Sequence, residues 1–431
     1  MNDKPPKLTA LCNGVLVGNV YGRSGGLEFI YDEGWRNAPG AYPLSLSMPL
    51  AAERHGHDKI NAYLWGLLPD NERTLQQYAR QFGVSVRSPT GLLEFMGADC
   101  AGAVQFVEPE RVEKILADPM AAPEIEWLTE AEIARDLKAV RERGSLGAGS
   151  RKMGQFSLAG AQPKIALLEE DGRWGRPGGR TPTTRILKPP TGEFVGFAEN
   201  EHLCLALARA LDLGAVQSSV MKFEDEPAIV VQRYDRRLVR GTYHRIHQED
   251  VCQALGMMPM GKYEAEGGPG IRSVIELLRD YSTRPSEDVD RFLGAIALNW
   301  IIVGTDGHAK NFALLHAAAG ESRLAPFYDI TSFLPYAEEP LHRVKLAMRI
   351  GREYEVRKIG LSDWKKLAGT AGVPHEELVG RVIAMIDGAD QVLDQIESKT
   401  IDEGLDADVI HDLVGRIGTR LQVCRGTMAA T

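Results

Sequence analysis

An α+β chain, β-rich at the front and helical at the rear, is the fold this sequence predicts, and three observations predict it. From residue 7 to about 110, short apolar runs alternate with Gly, Pro and Asn, the punctuation of strands and tight turns. From about residue 248 the apolar positions fall at helical spacing instead, over 249–255, 272–281, 286–303, 361–370 and 376–396. The 431 residues are about three times the roughly 150 of an ordinary domain. One core cannot serve them all, and the division expected is 1–115, 116–245 and 246–431.

The elements follow in order. Within PDNERTLQQYARQFG, Leu75, Tyr78, Ala79 and Phe82 keep i, i+3, i+4, i+7 spacing, with acids at the start and Gly83 to cap the end. It is the one clear helix of the front. A second helix opens at Thr129, where Thr129 and Glu132 have capping-box spacing, and closes at Gly144. GSLGAGSRKMG reads as a mobile loop. Strands are expected over 164–168, with a turn at Asp171-Gly172, in TRILK ending at Lys188, and in AIVVQRYDR; a helix over 199–213 lies between the last two. HQEDVCQAL reads as helix, and the closing GTRLQVCRGTMAAT as a fraying helix end.

Hydrophobic residues at 44% and charged residues at 25% exclude whole-chain disorder. Fifty basic against 59 acidic side chains leave a net charge of -9, so the chain as a whole lacks the footprint of a non-specific nucleic-acid or anionic-membrane binder. Five cysteines lie far apart with no C-x-x-C pair, which suggests neither a zinc site nor a disulfide framework and fits a reducing, cytoplasmic setting. MNDKPPK lacks the apolar core of an export signal, and the most apolar stretch, 292–304, falls short of the roughly 20 residues that span a bilayer. No membrane segment is expected.

The sharpest chemical pattern is NWIIVGTDGHAKNFALL, where an apolar helix ends at Gly304, Asp306 follows on the turn, and Asn311 stands five positions later. Protein kinases use that spacing: the Asp accepts the proton of the attacking hydroxyl and the Asn holds magnesium. Downstream, APFYDITS puts Asp329 where a metal-binding acid would follow; upstream, Lys188 stands where a phosphate-binding lysine would. Phosphoryl transfer needs such residues because positioning and charge neutralisation carry most of its catalysis. A single turn Asp is more often a cap or an Asx-turn, so the order of the set carries the argument.

Two phosphate loops compete. GMMPMGKY has the glycine spacing of a Walker A loop, but Tyr263 replaces the Ser or Thr that should reach magnesium and no strand precedes it. SLAGAQPK, with Ser157, Ala159, Gly160, Ala161, Gln162 and Lys164, offers small residues whose backbone N–H groups can approach phosphate, although Pro163 removes one donor. His308 reads either as an orienting or exposed turn residue or as a direct participant. His247 either contacts substrate or caps the next helix. Lys164 and Lys310 either neutralise phosphate or are solvated, and Trp65 and Trp300 fill core space.

SLAGAQPKIALL, TPTTRILKPP, AENEHLC, VVQRYDR, HQEDVCQALG, KYEAEGGPGI, TDGHAKNFALL and LAPFYDITSFLPY stand in one order from about 157 to 336, with YLWGLLPDNE at 63–72. Together they resemble the motifs of the HipA family, the serine/threonine kinase toxins of bacterial HipBA toxin–antitoxin pairs, over almost the whole chain. The resemblance implies a bilobal protein-kinase-like fold with a two-part N-lobe and an all-helical C-lobe, using ATP and magnesium. Asp306 would be the catalytic base, Asn311 and Asp329 the magnesium ligands and Lys188 the phosphate-binding lysine, its acidic partner Glu201 or Glu199. Gln232, Arg233 and Tyr234 would form the adenine hinge through backbone groups. Ala159 to Gln162, Lys164, His308 and Lys310 would line the nucleotide, and Ser157 would be autophosphorylated. It also implies a cytosolic protein substrate, characteristically an aminoacyl-tRNA synthetase, whose modification arrests growth and favours persistence, and a HipB-like helix-turn-helix antitoxin through which operator DNA is mainly contacted. A non-catalytic, kinase-shaped repressor partner and a small-molecule or lipid kinase are the rival readings.

Overall fold

The computed structural model describes residues 5–117, 124–144, 146, 159–178, 181–191, 195–337 and 341–429. The chain divides into two compact units, Met1–Thr191 with Met221–Met260 and Ala313–Ser322, and Gly192–Val220 with Gly261–Phe312 and Arg323–Thr431.

The first unit opens with an antiparallel sheet whose strands lie in the order Arg54–His55, Gly26–Tyr31, Val15–Arg23, Leu8–Cys12 and Val104–Val107. Leu8, Ala10, Val20, Phe29 and Phe106 form a core with Tyr63, Leu64, Leu92 and Leu93. The last four belong to helices His57–Leu67 and Pro89–Met96, which the sequence reading did not pick out. Helix Glu72–Phe82 is the one it did: Asn71 accepts from the Thr74 N–H at its start, and Gly83 closes it in the left-handed region at φ 71°.

A second sheet in this unit contains, side by side, Glu226–Gln232, Arg185–Lys188, Ile165–Glu170, Arg173–Pro177 and Ile125–Leu128. Helix Glu130–Arg143 begins with the full Thr129/Glu132 capping box and ends at left-handed Gly144. It lays Ile133, Leu137 and Val140 against Ile165, Leu167, Leu187 and Val230. Loop 247–255 departs from expectation: His247–Asp250 is a strand, paired antiparallel with Ala313–His316, and only Val251–Leu255 is helix. Asp250 is the N-cap, its side chain accepting from the Gln253 N–H. The helix signal is genuine, but the helix begins two residues after Glu249 and four after His247.

The same unit buries a cluster of charge. The Asp99 carboxylate accepts from Arg236 at 2.8 Å, Arg245 at 3.1 Å and the Thr183 hydroxyl at 2.6 Å. Arg233 grips Asp235 at 2.8 and 3.0 Å and donates to the Cys100 carbonyl at 2.8 Å. Burial alone would raise the Asp99 pKa, but the guanidiniums of Arg236, Arg233 and Arg245 outweigh it and hold the carboxyl well below the usual range.

The second unit is dominated by helices Phe197–Ala210, Ile271–Tyr281, Pro285–Ile302, Leu361–Ala371, His375–Asp402 and Ala407–Ala429. Trp300 and Trp364 meet edge to face at 5.4 Å in its core. It is not all helix, since Lys345–Ile350 pairs with Glu353–Glu355. The segment expected to fray is the end of a 23-residue helix with Leu421, Cys424 and Met428 buried. All five cysteines are free and buried. Among the described residues no helix is long and apolar enough to cross a membrane.

Candidate functional site

The Asp306 loop of the second unit is built by the end of helix Pro285–Ile302. Val303 takes a left-handed conformation at φ 55°, unusual for a β-branched residue, and turns the chain out of the helix. Asn299 lies under the loop that follows. A Cβ at Gly304 would sit 2.5 Å from its Oδ1, and one at Gly307 would sit 2.4 Å from its Nδ2. The two glycines flanking Asp306 therefore permit a close approach that no larger residue allows without movement.

Asp306 presents its side chain to solvent, 63% exposed, whereas His308 is 6% exposed and Lys310 and Asn311 are buried. Lys310 is thus not a solvated lysine. One carboxylate oxygen of Asp306, Oδ1, accepts from the Tyr263 hydroxyl at 2.9 Å, and His308 Nε2 stands 3.8 Å from the same atom. Asn311 reaches Asp329, its Nδ2 lying 3.5 Å from the Asp329 carbonyl oxygen. Four of the sequence-predicted residues, Asp306, His308, Lys310 and Asn311, occupy one short loop, and Asp329 is brought against it.

Asp329 itself has φ 53°, a left-handed backbone that Asp tolerates better than most residues but still at some cost. Its neighbours hold it there. Tyr328 donates through its hydroxyl to the Lys310 carbonyl at 2.8 Å, and Ser332 donates to the Ile302 carbonyl at 2.6 Å. Asn200, on helix Phe197–Ala210, clamps Ser332 by donating to its carbonyl and accepting from its N–H, both at 2.8 Å. Asn200 lies between the two acids weighed as lysine partners, of which Glu201 is 1% exposed and Glu199 half-buried. Asn311 and Asp329 offer amide and carboxylate oxygens, hard donors of the kind magnesium takes in ones and twos beside phosphate and water.

The remaining predicted residues belong to the first unit. Lys188 ends its strand, 5% exposed, in register with Ile229 of the neighbouring strand. In the small-residue loop, Gly160 has φ 111° and Lys164 folds back so that its ammonium donates to the Ala159 carbonyl at 2.7 Å. The Gly160 carbonyl accepts from the Asp70 N–H at 3.1 Å. Ala161, Gln162 and Lys164 line a small pocket with Pro69, Thr74, Tyr78 and Met96. Ser157 lies outside the described residues. Gln232 is exposed, and the Tyr234 hydroxyl bonds to Gln248. The Arg233 guanidinium is in the buried ion cluster, and its N–H donates to the Thr184 carbonyl at 3.0 Å. His247 is buried, with Nε2 2.9 Å from the Leu44 carbonyl oxygen, so it neither caps the helix nor faces solvent.

Residues 8–107 match the HipA N-terminal domain, and residues 156–396 match the HipA-like C-terminal domain. The chain belongs to the HipA family. The Y4mE protein of Sinorhizobium fredii is 36% identical over 96% of this chain and 97% of its own length. The serine/threonine-protein kinase toxin HipA of Shewanella oneidensis is 26% identical over 82% of this chain and 80% of its own. A Shewanella oneidensis HipA structure, solved in complex with HipB and its operator DNA, superposes with a TM-score of 0.82 over 98% of both chains at 21% identity, so the fold is shared.

Against the HipA motifs, three contributors to this site went unread in the sequence. Tyr263 stands in KYEAEGGPGI and where a Walker A loop would need Ser or Thr, and the sequence gives it no role in the site. Asn200, within AENEHLC, and Asn299, which interrupts the apolar stretch 292–304, are given no role by the sequence. Two of them meet the site only at long range: Tyr263 is 43 positions from Asp306 and Asn200 is 132 from Ser332.

Proposed function

We propose that this protein is a toxin-type serine/threonine kinase that transfers the γ-phosphate of ATP to a cytosolic protein, with an aminoacyl-tRNA synthetase as the substrate class. The observation that carries the reading is the Asp306 loop, with an exposed carboxylate at its tip, Asn311 at its base, and Asp329 held against Asn311. Asp306, through the carboxylate oxygen that Tyr263 does not occupy, accepts the proton of the attacking hydroxyl. Asn311 and Asp329 would hold magnesium, which on binding neutralises phosphate charge. Lys188 binds phosphate, with the loop Ala159–Gln162 and Lys164 around it. The Lys164 ammonium has three N–H donors, of which one is on the Ala159 carbonyl. Backbone groups of Gln232, Arg233 and Tyr234 recognise adenine at the hinge, the Arg233 N–H excepted because it is already bonded to the Thr184 carbonyl. The three-part division at residues 115 and 245, a cytoplasmic location, and a helix-turn-helix antitoxin that carries most of the operator DNA contact complete the reading.

The deciding experiment is labelling with γ-labelled ATP. Wild-type protein should label a protein fraction rather than metabolites or lipid, and Asp306→Asn should lose about 10² to 10⁴ in rate. Labelling at the parental rate in Asp306→Asn would overturn the assignment.

Regulation by Ser157 belongs to the same proposal. A phosphate there adds about 1.5 to 2 negative charges a few residues from the loop that receives anionic phosphates, and so disfavours ATP. Protein carrying stoichiometric phosphate on Ser157, checked by mass spectrometry, should bind ATP much more weakly than Ser157→Ala. Equal affinities would exclude the switch.

A further inference from the structure

We infer that Tyr263 is a positioning residue for the reaction, holding the Asp306 carboxylate so that its second oxygen faces the incoming hydroxyl; this rests on the kinase reading above. The contact is direct, a phenol O–H donating to Asp306 Oδ1 at 2.9 Å. A hydrogen bond to a carboxylate is charge-assisted and directional, and it fixes a rotamer that solvent would otherwise leave free in a side chain 63% exposed.

Tyr263 is itself held on both ends. Its carbonyl accepts from the N–H groups of Glu266 at 3.0 Å and Gly268 at 2.9 Å, which makes it the residue entering a short 3-10 turn, Glu264–Glu266. The next residue, Glu264, accepts from the Arg349 N–H at 2.6 Å and pairs with the Arg349 guanidinium at 3.6 Å. The Ala309 N–H, three residues beyond Asp306, reaches back to the Lys262 carbonyl at 3.4 Å. The ring meets His308 edge to face, with centroids 5.0 Å apart and planes at 78°. His308 is buried, so the phenol plane is set by a side chain that cannot readily move. Backbone, ring and hydroxyl are thus all fixed before any ligand arrives, the condition for positioning a base without reorganisation during the reaction.

The arrangement also gives His308 a role distinct from general-base chemistry. Its Nε2 stands 3.8 Å from Oδ1, beyond a hydrogen bond, while its ring supports the tyrosine. The histidine acts through Tyr263, and Tyr263 acts through Asp306.

The test is Tyr263→Phe, which keeps the ring against His308 and removes only the hydroxyl. On full-length protein we expect kcat to fall about tenfold, the loss typical of one charge-assisted hydrogen bond. The ATP KM and the nucleotide-dependent thermal shift should stay at wild-type values. In an Asp306→Asn background, Tyr263→Phe should cost no further rate, because the two act as one unit. Parental kcat in Tyr263→Phe, a change confined to the ATP KM, or full additivity of the two substitutions would each overturn the inference. If Asp306→Asn alone keeps the parental rate, the kinase reading itself has failed. If Asp306→Asn is inactive and Tyr263→Phe is not impaired, only the role of the tyrosine is lost.

Discussion

Asp99 and Asp306 are both aspartates beside hydrogen-bonding partners, yet one is sealed among three arginines and the other leaves most of its side chain in solvent. Around Asp99, Arg233, Arg236 and Arg245 are each no more than 4% exposed in their side chains, and both carboxylate oxygens are already bonded. Around Asp306 one oxygen is tied to Tyr263 and the other is open. Burial among opposite charges builds structure, whereas exposure with partial pairing leaves a carboxylate oxygen within reach of a ligand. Within VVQRYDR, where Gln232, Arg233 and Tyr234 are expected to offer backbone groups to adenine, the side chains of Arg233 and Asp235 are tied into the buried charge cluster of the first unit.

That contrast can be broken by exchanging the effects of the two sites. Removing one member of a buried, ion-paired cluster strands the other charges, so Asp99→Asn should cost about 3 to 5 kcal/mol of stability, read as a lower urea midpoint. The Asp306→Asn variant should unfold within about 0.5 kcal/mol of wild type while losing its catalytic rate. Comparable destabilisation by both, or by Asp306→Asn alone, would erase the distinction.

A smaller effect sharpens it by pH. His247 is buried beside His316, stacked on Tyr42, with Glu249 and Asp235 nearby, and burial together with the His316 charge lowers its pKa to about 4. The unfolded chain takes up a proton near its ordinary value of about 6.5, and the folded one does not until about 4. Stability is therefore complete above about 6.5 and falls as the pH drops toward 4, by about 1.4 kcal/mol per unit at most for this group. His202 and His55, both lowered first by burial, add slope of the same sign. Asp99 and Asp235 act in a separate window: both are depressed, so their contribution persists above about 3.9 and is lost only in stronger acid. Urea midpoints between pH 7 and 4.5 should decline in wild type and decline less steeply in His247→Gln. Parallel slopes would show that His247 is not the group responsible.

The elements that were legible in the sequence were those whose signal is local. Helix Glu72–Phe82 announced itself by its apolar stripe and Gly83, and helix Glu130–Arg143 by its capping box and Gly144. The Asp306 loop was legible because its chemistry sits within six residues. What failed was decided at a distance. His247–Asp250 precedes a sound helix cap and so looked helical, but pairing with Ala313–His316, more than 60 residues on, made it a strand. Helix His57–Leu67 carries buried residues on several faces, and its apolar pattern is correspondingly blurred.

By itself the sequence determined which oxygen-bearing residues are available, Asp306, Asn311 and Asp329, and that the first two share a turn, because spacing along a chain fixes what a short loop can present. Tertiary structure alone decided which aspartate would be open and which closed. Tyr263 meets Asp306 and three arginines meet Asp99 only through packing between segments remote in the chain, and the protonation behaviour of a carboxylate depends on the charges and solvent around it rather than on its neighbours in sequence.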